Sequence, residues 1–244
     1  MSAARLLAAV TVIALLALSA TGCESTQDKS RRLAKENAKI TQEKGVTVST
    51  TSRDVVVVSK TVLTDANGSA VAVELRNKSK RGLLGVPVAI NVTDAKGVSV
   101  FKNDTPGLEP SLVRAPLLSA GVTLTWVNDQ VLATGKPKAV AVRVGAETKT
   151  APAKIPNLEI VSAKLENDPV DGVLASGKVV NHSSVEQRQL IIFGVARKGG
   201  KIVAAGRAAI PRLAPGKKVG FAMFFVGNPR GAKLELVVPP TVFG

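Results

Sequence analysis

Three residues are alone of their kind in this 244-residue chain, Cys23, His182 and Trp126, and the first two could do chemistry. A thiol can carry a covalent group, act as a nucleophile or bind metal; an imidazole can move a proton near neutral pH. His182 lies in Asn181-His182-Ser183-Ser184, between two apolar runs. Nucleophilic catalysis needs a serine held apart by the fold and a carboxylate that orients the ring. Neighbouring serines in a turn supply neither, so His182 reads as a solvated turn residue. One cysteine and one histidine cannot make the usual nitrogen and sulfur zinc site. Copper is disfavoured too, because Met223 is the only methionine after Met1. Asp94 and Asp104, or Asp168 and Asp171 with Glu166, could bind calcium from loops. Aspartate is also wanted there for local backbone bonding, and that simpler account is preferred. No acid pair is placed for glycoside cleavage. Gly199-Gly200-Lys201 and Gly216-Lys217-Lys218 lack the rest of a phosphate-binding loop. No catalytic residue, metal or cofactor is expected, and no enzyme.

Cys23 has a different setting. Arg5 precedes an apolar run from Leu6 to Leu18, interrupted by Thr11. A membrane span needs about 20 apolar residues. This run is shorter and fits the core of an export signal, with small residues after it. Ala20-Thr21-Gly22-Cys23 resembles the lipobox of bacterial lipoproteins, with alanine where leucine is commonest. The resemblance implies a diacylglyceryl group on the Cys23 thiol and cleavage after Gly22. Residues 1–22 would then be a signal peptide, and the protein would be exported and lipid-anchored to the cell membrane. More than one buried chain gives stable anchoring, at about 0.8 kcal/mol per buried CH₂.

Loss of Arg5 lowers the formal charge from +15 to +14. Six Phe, one Trp and no Tyr leave few stacking groups, so nucleic acid is not an expected partner. Anionic lipid head groups or wall polymers suit the charge, and solubility alone explains it equally well. One cysteine allows no internal disulfide, so stability must come from apolar burial.

These residues need elements to position them. Residues 23–45 are polar and rich in helix formers, with a thin stripe of Leu33, Ala34, Ala38 and Ile40. They read as a helical or disordered tether. Beyond them the chain repeats itself. Val71–Ser79 matches Ala175–Ser183 through an Asn-x-Ser turn, at an offset of 104. Ile90–Gly97 is aligned over Phe193–Gly200, and Leu118–Trp126 over Leu213–Phe221 at an offset of 95. The drop in offset places an insertion in Asn103–Ser111 of the first copy.

Short β-branched runs separated by Asn, Asp and Gly turns predict strands. Each copy has the length of an immunoglobulin-like sandwich. The expected fold is all-β: two tandem antiparallel sandwiches, residues 46–148 and 157–244, joined by a linker at 149–156. Trp126 and Phe221 share one repeat position and are expected in the cores. The order of Asn-x-Ser turn, Ile90-Asn-Val-Thr-Asp94-Ala-Lys-Gly97, Leu213-Ala-Pro-Gly216 and aromatic-ended strand resembles bacterial immunoglobulin-like modules of the FxLYD type, without their tyrosine. That resemblance implies an envelope protein. The expected role is a non-enzymatic binding or scaffolding module with an unidentified protein partner. The alternative is a solute-binding or accessory lipoprotein of an envelope complex or transporter.

Overall fold

The computed structural model describes residues 45–168 and 172–244; Cys23, the signal segment and the tether through Lys44 lie outside them. The described chain is all-β and antiparallel, with one 3₁₀ turn at Pro110–Leu112. In the first half, β1 (Val55–Asp65), β2 (Gly68–Asn77) and β6 (Thr123–Asn128) form one sheet. The facing sheet is built on β3 (Leu83–Thr93), which pairs with β4 (Ser99–Lys102), β5 (Arg114–Leu118), β7 (Ala139–Val144) and β8 (Lys149–Thr150). Thus Lys149 and Thr150, at the start of the segment read as a linker, pair with Leu84 and Leu83.

The second half repeats the plan. β9 (Leu158–Asp168), β10 (Gly172–Asn181) and β13 (Lys218–Phe224) form one sheet. β11 (Gln187–Lys198), β12 (Lys201–Leu213), β14 (Val226–Gly227) and β15 (Lys233–Val237) form the other. The single strand β12 does the work of β4 and β5 together. The insertion is therefore the segment between β4 and β5, where the falling offset put it.

Pairing fixes the equivalences. Val73 faces Trp126 across the β2–β6 ladder as Gly177 faces Phe221 across β10–β13. Trp126 is fully buried and Phe221 nearly so, both in cores as expected. Phe221 lies over Gly177, where an added Cβ would come within 2.9 Å of the ring. One alignment needs correction. Leu83 pairs with Leu118 as Gln187 pairs with Leu213, so Ile90 is equivalent to Gly194, not Phe193. A slip of one residue moves a side chain to the other face of the sheet. Gly194 faces the core, where an added Cβ would collide with Met223 Sδ; Phe193 faces the other way.

Both halves interrupt a ladder at one place without a change of register. The β3–β5 ladder skips Gly85 and Pro116, and the β11–β12 ladder skips Gln189 and Pro211. Proline has no N–H to donate, so the ladder hydrogen bond is lost there. The residue opposite the proline is left-handed: φ is +62° at Gly85 and +48° at Gln189. Glycine takes that conformation freely, whereas a side chain strains it. Gln189→Gly is therefore expected to raise stability by about 1 kcal/mol. A melting temperature that does not rise would show that Gln189 is held there without strain.

Four layers follow from burial. In β3 buried and half-buried residues alternate from Val88 to Thr93, as in a strand with one covered face. In β11 every residue from Leu190 to Ala196 is buried, and in β2 every residue from Ser69 to Val73. The inner faces of these two strands belong to their own sandwiches. Their outer faces meet: Ile191, Phe193, Val195 and Ala205 join Ala70, Ala72 and Val127 in one apolar cluster. The β2 sheet thus lies between the β3 sheet and the β11 sheet, and the β10 sheet is the far outer layer. The chain enters at the first sandwich: Ser52 N–H donates to Val144 O at 2.8 Å, and Val48 is buried.

Candidate functional site

The Asn-x-Ser turns are the most closely repeated feature. Asn77 and Asn181 are fully buried. Asn77 Nδ2 donates to Arg81 O at 2.7 Å and Leu118 O at 3.0 Å, and its Oδ1 accepts from Ser79 N–H and Oγ at 2.9 and 2.8 Å. Asn181 does the same with Val185 O, Leu213 O and Ser183. Each asparagine staples the end of one sheet to the end of the facing one. Ser183 is therefore committed to Asn181, and its hydroxyl is not presented to His182. His182 is exposed, with Nε2 2.7 Å from Glu159 Oε2.

The candidate carboxylates are dispersed. Asp94 Oδ1 accepts from Lys96 N–H at 2.8 Å and Val98 N–H at 2.9 Å, closing the β3–β4 turn. Asp104 lies at the base of the insertion beside Gly45. Glu166 is held below the usual carboxylate range, first by its hydrogen bond from Lys164 and then by that from Ser176. Asp171 lies outside the described residues, as does Cys23. No group of three metal-ligating side chains occurs among the described residues, and no helix there is long and apolar enough to cross a membrane.

Sequence reasoning missed a site that the insertion builds. Asn103 is buried, accepts from Ile90 N–H at 2.8 Å and donates to Val88 O and Leu112 O at 2.8 and 2.9 Å. Trp126 Nε1 donates to Ser111 O at 2.8 Å, and Asn128 Nδ2 to Leu112 O at 3.2 Å. These three side chains fold the insertion against the first sandwich. Its Ser111 and Glu109 then receive Arg207 from β12 of the second. Arg207 Nε also donates to Asp129 Oδ1 at 2.8 Å, and its backbone N–H to Asp129 Oδ2 at 3.1 Å. The Arg207 side chain is only 6% exposed, so this charge is compensated almost wholly by protein. At the other end of the contact Arg197 bridges Glu74 at 2.6 Å and Glu235 at 2.8 Å. A third tie runs from Gly227 N–H to Asp65 Oδ2. The signal for this interface was present in Leu190-Ile191-Ile192-Phe193, a run without alternation, which marks a strand covered on both faces.

Two clefts open where the sandwiches meet. One, of about 580 Å³, is lined by Asn67, Asp129, Asn228 and Arg230 among others and is largely polar. The other, of about 340 Å³, lies beside the Arg207 latch between the two ladder breaks. It has an apolar floor of Pro110, Pro116, Ile191 and Val242, with Arg114 and Gln189 on its walls.

Fold and sites together define a tandem β-sandwich protein with its two halves latched into one body. Comparison with protein-family models and with curated proteins finds no match.

Proposed function

We propose that this chain is an exported lipoprotein, anchored through lipid on Cys23, whose paired sandwiches are a non-enzymatic binding or scaffolding module of the cell envelope. The observation that carries this reading is the latched interface. Two sandwiches joined through a buried apolar face and two compensated arginines hold their surfaces in fixed relation, as a scaffold requires. Ser183, next to His182, is spent on the Asn181 staple, which favours binding over catalysis. The lipobox and FxLYD resemblances give the same class. Attraction of the basic surface to anionic head groups or wall polymers belongs to this proposal as a secondary contact.

The test is fractionation. Cys23→Ser is expected to leave the protein unprocessed or to release it from membranes into the soluble fraction. A variant processed and membrane-bound like the native protein would refute the anchor. One observation, the smaller cleft, favours the second reading, a solute-binding or accessory lipoprotein.

A further inference from the structure

The smaller cleft lies where three independent features converge. It is bounded by the ladder break of the first half at Gly85 and Pro116, the ladder break of the second at Gln189, and the insertion at Pro110. Its floor is apolar and its volume is about 340 Å³, within the usual range for small-molecule pockets. The left-handed residues Gly85 and Gln189 of both breaks line this one space.

The polar groups on its walls differ in how far they are used. Arg188 is tied to Glu186, and Glu109 to Ser111 and Arg207. Arg114 gives one nitrogen, Nη1, to Gly85 O at 3.0 Å. Among the described residues its other guanidinium nitrogens have no hydrogen-bond partner. The Gln189 amide has none among them either. That residue is informative because of its backbone. The equivalent residue in the first half is glycine, which meets the left-handed geometry at no cost. The second half keeps a strained glutamine at the same ladder break, on the wall of the cleft. Strain retained where a relaxed solution exists points to a use for the side chain.

From this geometry we infer that the cleft between the sandwiches binds a small ligand with an apolar body and one anionic group. The anion sits at Arg114, whose planar guanidinium presents paired donors to a carboxylate. The apolar body lies on Pro116, Ile191 and Val242, and the Gln189 amide donates to the ligand from the opposite wall. This goes beyond anchoring and scaffolding. It stands whether or not Cys23 carries lipid, so this test and the fractionation of Cys23→Ser fail independently.

Calorimetric titration of the full chain with phenylbutyrate, and with phenylbutanol as its uncharged analogue, tests it. Phenylbutyrate is expected to saturate one site, and phenylbutanol to bind more weakly. Arg114→Gln is expected to weaken phenylbutyrate binding by about tenfold, as loss of one charge-assisted contact does. Gln189→Gly is expected to weaken it by about threefold while the protein melts at a higher temperature, which separates ligand contact from folding. Absence of saturable heat would overturn the inference. So would equal affinity for the alcohol, or binding that survives Arg114→Gln unchanged. Loss in Phe224→Ser alone would overturn it too, by placing the probe on the exposed β10 sheet face.

Discussion

Asn77→Ala and Asn181→Ala are each expected to be among the most damaging single substitutions in the described chain. The truncated side chain would leave two backbone carbonyls without a donor, Arg81 O and Leu118 O in one case and Val185 O and Leu213 O in the other. It would also take the acceptor from the serine two residues on. Unsatisfied buried groups cost about 1–3 kcal/mol each, so a loss of about 3 kcal/mol is a conservative expectation. For a body of this size that lowers the melting temperature by roughly 6–12 °C. Asn77→Asp separates shape from bonding. It keeps the outline and the acceptor but has no amide hydrogens to donate, and it sets a carboxylate against two carbonyl oxygens. It is expected to be at least as destabilising as alanine. Thermal unfolding of the three variants decides the matter. If Asn77→Ala melts with the native protein, the staple does not hold the sheets together.

Arg207→Ala is expected to uncouple the halves. Arg207 is nearly sealed from water and compensated by Asp129, Ser111 and Glu109. Removing one partner of a buried pair leaves the other charge uncompensated, and such changes cost about 3–5 kcal/mol. Asp129 keeps some solvent contact, which argues for the lower end, about 3 kcal/mol. The loss falls on the contact between sandwiches and not on either core. Calorimetry is therefore expected to show one broadened or divided transition where the native chain shows one sharp one. The double variant Arg207→Ala with Asp129→Ala is expected to recover part of the loss, because no uncompensated carboxylate remains. Strict additivity of the two losses would mean that Arg207 acts by packing alone.

The two halves of this molecule show why some features were legible and others were not. Strand positions, Asn-x-Ser turns and the insertion could be read because each rests on short-range pattern. A buried asparagine at a strand end needs its serine two residues later, so the motif survives in both copies. The insertion was legible as a change of offset, though its purpose was not. Trp126 and Phe221 were placed in the cores by size and repeat position, but only the indole N–H explains why the copy with the insertion has tryptophan. The register of the central strands misled by one residue, because alternation is weak where both faces are covered. Gly194 and Phe193 exchange roles under that slip.

The sequence by its own pattern specifies an all-β chain of two related sandwiches, with a basic balance and one cysteine set after an apolar run. Those are properties of composition, local periodicity and near-neighbour bonding. Only the tertiary structure shows that the sandwiches stack face to face, that the insertion is the latch, and that two ladder breaks border one cleft. Arg207 and Asp129 are 78 residues apart and Arg197 and Glu74 are 123 apart. No local pattern encodes such pairings, because they depend on which sheet faces remain apolar once each sandwich has closed.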